Sequence, residues 1–142
     1  MSPPEADTTG GHEDRRRAFQ RHFTTAEANA TLPTLRPLLE KLREAKDELT
    51  DEELHEALSE SAPGNGGGEP GRAVGVAFLE VRRILVALTE AGVVVKDIDR
   101  GLVDFPALME DREVFLCWEL GEDEVAHWHE IDAGYRGRRP LD

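Results

Sequence analysis

The sequence predicts an α+β domain in which a long antiparallel helical hairpin packs on a small antiparallel β-meander. Three observations carry this. Apolar residues step by three and four up to residue 91, a Gly/Pro-rich stretch divides that region, and beyond Gly92 the apolar period changes to two. The expected organisation is a disordered tail over 1–21 and a single domain over 22–142, with a hairpin over 24–91 interrupted by a flexible loop at 62–71. A meander over 93–132 and a C-terminal tail over 133–142 complete it.

The tail carries Pro3, Pro4, Gly10, Gly11 and many charges, and its large apolar side chains are Met1 and Phe19. Its basic cluster, Arg15, Arg16, Arg17 and Arg21, has acidic neighbours and reads as a solvated surface. Order is expected to begin at Phe23. Thr24 and Glu27 have capping-box spacing, with Phe23 as the staple residue. Leu32, Leu35, Leu39, Leu42, Ala45 and Leu49 then mark one stripe of a helix. Pro33 and Pro37 leave the carbonyls of Asn29 and Pro33 without helical donors, so a kink is expected there. Thr50 and Glu53 repeat the capping-box spacing, so the helix is expected to break and restart at Asp51.

The 62–71 segment is not a phosphate-binding loop, because it has neither a Gly-Lys-Ser/Thr run nor a preceding strand. Val74, Phe78, Val81, Leu85 and Leu88 form the second helical stripe, closed by Gly92. Four segments of alternating pattern follow, 93–98, 102–107, 113–120 and 125–131, separated by turn-forming residues. Pro106 suits a strand end or a sheet edge.

Thirty acidic against 17 basic residues give a formal charge of -13 over 142 residues. Phosphate neutralisation needs a clustered cationic surface, so the balance argues against nucleic acid and against an anionic membrane. No apolar run reaches the roughly 18 residues of a membrane span, and the first 25 residues lack a signal-peptide core, so a cytoplasmic location is expected. A single cysteine, Cys117, excludes an internal disulfide and a cysteine-only metal cluster.

Several linked motifs resemble a bacterial family, domain of unknown function family 2203. They are Ala26-Glu27-Ala28-Asn29 with Leu32-Pro33, Gly101-Leu102-Val103-Asp104-Phe105-Pro106, Leu116-Cys117-Trp118, Gly121-Glu122, Trp128-His129, and Gly134-Tyr135-Arg136-Gly137-Arg138-Arg139-Pro140-Leu141. The resemblance implies membership and brings no chemistry with it. Family members tend to carry Asp-Gly in the turn where this chain has Glu110-Asp111, and His127 is less fixed in the family pattern than His129.

The constellation most suggestive of chemistry is His127-Trp128-His129-Glu130. On a strand the two histidines share a face about 7 Å apart, near enough to converge on one divalent cation. The third ligand is a carboxylate from Asp104, Glu119, Glu122 or Glu124. Centring the hairpin on Gly121 pairs Leu116 with His127 and Trp118 with Val125, which puts the histidines on the core face. A one-residue slip reverses that. The structural alternative is a polar histidine pair at the sheet margin. Asp104, inside an apolar strand, needs a partner, and the simplest is Arg136, Arg138 or Arg139. The same arginines are a candidate anion-binding set. Cys117 reads as a small buried hydrophobe on the face opposite both histidines.

Two function classes fit. One is a cytosolic binding or scaffold module that self-associates through its helices or docks a protein partner. The other is a metal-binding protein or metal-dependent enzyme built on His127, His129 and a carboxylate.

Overall fold

The computed structural model describes residues 17–59 and 72–141, the side chains of 72–74 excepted. The sequence readings on residues 1–16, on the connector 62–71, on Val74 as a stripe residue and on Asp142 lie outside these residues. The fold is α+β, with helices α1 (Thr25–Asp47), α2 (Asp51–Leu58) and α3 (Arg72–Glu90) followed by a five-stranded sheet. The strands are β1 (Val94–Asp97), β2 (Leu102–Met109), β3 (Arg112–Glu119), β4 (His127–Glu130) and β5 (Arg139–Pro140). They lie in sequence order, each antiparallel to its neighbours.

Local chemistry sets the helix ends. Thr24 with Glu27 and Thr50 with Glu53 form complete reciprocal capping boxes, so the break at Asp51 occurs where a second cap is available. α1 continues through Pro33 and Pro37. At the end of α3 the Gly92 amide donates to the Thr89 carbonyl and the Val93 amide to Leu88, a Schellman closure with Gly92 at φ 89°. The core lies between the helices and one face of the sheet. Leu32, Leu35, Leu39 and Leu42 of α1 and Val81, Ile84 and Leu88 of α3 pack with Val103, Phe105, Leu116 and Trp118.

Three details depart from the sequence reading, and Pro106 meets its edge expectation from inside a strand. The segment before α1 is packed from residue 17: Phe19 sets its ring edge on Phe115 at 5.3 Å, and the Ala18 and Phe19 amides donate to the Glu113 carboxylate. The predicted C-terminal tail supplies β5, pairing Pro140 with His127 and Arg139 with Trp128. Pro106 sits inside β2, but β1 pairs only as far as Asp104, so the missing N–H faces an edge that the Phe23 amide closes by donating to the Pro106 carbonyl. The Glu110-Asp111 turn takes φ 54° and 67°, a two-residue turn of the left-handed kind achieved without glycine.

Candidate functional site

Register assembles the site. The turn at Glu110-Asp111 joins Met109 directly to Arg112, and the ladder from there sets Asp104 opposite Cys117. On the far side of β3, Cys117 faces His127 and Phe115 faces His129. The pairing is thus one residue off the register expected from Gly121. The cause is the connection itself, which is not a tight turn. The Val125 amide donates to Asn29 Oδ1 on α1 at 2.7 Å, Arg36 donates to the Asp123 carbonyl at 2.8 Å, and the Trp118 indole donates to the Glu122 carbonyl at 3.1 Å. These tethers hold Val125 in the core instead of opposite Trp118. The consequence is that the histidines leave the core face, Trp128 pairs with Leu116, and Cys117 lies on the same face as both histidines. The expectation that Cys117 faces away from them is overturned.

That face points away from the helical core. Asp104, Cys117 and His129 are all buried, and one potential ligand atom from each lies within 4.8 Å of the others. His129 reaches across β3, its Nε2 lying 3.1 Å from both Asp104 oxygens. Its Nδ1 is 2.7 Å from the Glu130 carbonyl. A carbonyl only accepts, so Nδ1 carries a hydrogen, and Nε2 is the nitrogen directed at the cluster. Burial pushes the Asp104 carboxyl above its ordinary value, with His129 opposing that rise. Burial, and next the Asp104 charge, push the Cys117 thiol up to about 12, so without a bound cation it is a thiol that donates to Asp104. Lys96 approaches Asp104 to 4.0 Å and lies over the Phe115 ring, while Phe115 in turn contacts the His129 ring.

The remaining predicted residues form a second ring of contacts. Arg138 does not pair with Asp104; it donates to Glu122 at 2.7 Å and to His127 Nδ1 at 2.8 Å. Glu122 also accepts from the Glu119 amide at 2.9 Å, so both of its oxygens are engaged in holding the loop. His127 therefore shares the face of His129 but its Nδ1 lone pair is taken by an arginine. Glu119 is bound by Arg100, which lowers its carboxyl, and Glu124 is exposed. Arg139 lies over the Trp128 ring, and Arg136 is exposed on the 3-10 turn Tyr135–Gly137. Arg138 and Arg139 thus have separate partners, the Glu122 carboxylate and the Trp128 ring. Sequence reasoning missed Cys117 as a member of the cluster. The signal was present in the Glu110-Asp111 pair, since a two-residue turn at that point fixes Asp104 opposite Cys117.

The family model described as uncharacterized conserved protein (DUF2203) matches residues 21–141, and the chain belongs to that family. Asp104, Cys117, Glu122, His129 and Arg138 all fall within that span. No curated protein and no solved structure matches the chain. Among the described residues, no helix is long and apolar enough to cross a membrane.

Proposed function

We propose that this DUF2203 protein binds a divalent transition-metal ion of the zinc class through Asp104, Cys117 and His129. The observation that supports the reading is the convergence of three buried ligand groups from three adjacent strands within 4.8 Å. A carboxylate oxygen, a thiolate sulfur and an imidazole nitrogen form a mixed donor set that suits zinc and its neighbours far better than magnesium or calcium. The Nδ1–H to Glu130 carbonyl bond is the outer contact that fixes a ligating histidine's tautomer. Three protein ligands leave a fourth position for water or a small anion. This revises the ligand set read from the sequence, with Cys117 taking the place of His127.

Binding releases the thiol proton of Cys117. Affinity then rises with pH, by roughly one power of ten per pH unit while that proton is in place. The test is competition titration of zinc into the untagged chain between pH 6 and 8. Stoichiometric binding that weakens roughly 100-fold in Cys117→Ser and in His129→Ala supports the assignment. Equal affinity in both variants and wild type, or no saturable binding, refutes it.

A further inference from the structure

The face of α3 opposite the core carries a second feature, independent of the cluster. Ala77, Val81, Ile84 and Leu88 are buried, whereas Val76, Leu79 and Val86 are 64%, 58% and 51% exposed. With Arg83 and Glu90, also exposed, the outward residues run 76, 79, 83, 86 and 90, at steps of three and four. That spacing matches the a/d pattern of a two-helix coiled coil, apolar at three of five positions, on a helix whose other stripe is already used. Leu58 of α2, 46% exposed, borders Val86 across a shared groove and widens the apolar surface.

The charges on this stripe select the occupant. At its centre Glu80 and Arg83 form a bidentate pair, with Arg83 Nε 3.2 Å from Oε1 and Nη2 2.8 Å from Oε2. An antiparallel copy whose two-fold axis crosses the exposed face midway between Leu79 and Arg83 sets Val76 against Val86 at both ends and Leu79 against Arg83 between them. Each Arg83 can then cover the opposing Leu79 with its stem and share the opposing Glu80, so the stripe's charges complement those of an antiparallel copy. We propose that α3 pairs with α3 of a second copy of this chain, antiparallel, through Val76, Leu79, Arg83 and Val86.

Sedimentation equilibrium of the full chain over a wide concentration range tests this. The expected mass rises from 15.8 kDa toward twice that value. Leu79→Glu shifts the association to concentrations higher by on the order of tenfold or more, with an unchanged far-UV circular dichroism spectrum. Arg83→Glu weakens it as well, and adding Glu80→Arg restores it. A mass fixed at 15.8 kDa overturns the proposal, and so does association that Leu79→Glu leaves intact. A partner that the wild-type chain captures only while itself monomeric overturns it too, and a double charge swap that fails to restore association removes the antiparallel register.

Discussion

The two faces of the sheet are built from alternate residues of the same strands, yet they are made of different material. Toward the helices β2 and β3 present Val103, Phe105, Ala107, Val114, Leu116 and Trp118, all within the apolar core. On the outward face the same strands bury Asp104 and Cys117, and β4 adds His129. The first face follows from hydrophobic burial alone. The second does not, because apolar side chains of similar volume in place of a buried acid-base pair are often neutral or stabilising. Ordinary stability alone therefore does not account for this polar cluster, and the proposed metal site supplies a reason for it.

The sharpest contrast lies between neighbours in sequence. Phe105→Ala, on the helix side, should cost about 4 kcal/mol through lost burial and a cavity. Asp104→Ala, on the other side, should cost about 3 kcal/mol by leaving His129 buried without its partner. Urea unfolding of the two variants measures both. The comparison is broken or sharpened by the double variant Asp104→Val with His129→Leu. It should unfold within about 1 kcal/mol of wild type while losing zinc binding. A large stability loss in that double variant would mean that the pair is a structural element.

The outer face is closed by the segment before α1, and Glu113 is its anchor. Burial raises the Glu113 carboxyl, but the Ala18 amide, His22 and the Phe19 amide outweigh this and leave it below the ordinary 4.5. A lowered folded value means stability that is present above 4.5 and lost as pH falls through the folded value. Glu113→Gln should thus cost about 1 kcal/mol at neutral pH, with the difference from wild type shrinking below pH 4.5. Paired urea titrations at pH 7 and in acid measure it. The smallest effect belongs to the turn that sets the register. Asp111→Gly relieves a residue held at φ 67° and should raise stability by about 0.5 kcal/mol, since the exposed Arg17 contact at 3.7 Å contributes little.

What was legible in the sequence follows the same division. Capping boxes, the Gly92 helix stop and the α1 stripe from Leu32 to Ala45 are local patterns that appear as read, whereas Leu49 lies past the end of α1 and α3 buries Ala77 and Ile84 more fully than Phe78 and Leu85. Asp104 was conspicuous as a carboxylate in an apolar strand, and His129 as half of a same-face pair. Their meeting was not legible. It depends on the β3–β4 register, which is set by Asn29, Arg36 and the Trp118 indole acting on the loop across the fold. Such tethers join distant residues and leave no periodic trace, and the one-residue offset they impose moves a whole strand's side chains to the other face.

The central claim is that Asp104, Cys117 and His129 hold one metal ion, and thiolate ligation is its most specific part. Titrating Co2+ into the untagged wild-type chain and into Cys117→Ser, and recording the near-ultraviolet absorbance, reads sulfur coordination directly. The account predicts a thiolate-to-cobalt charge-transfer band that saturates at one ion per chain in wild type and is missing in the variant. Wild-type protein that binds no cobalt, or binds it without that band, contradicts the account.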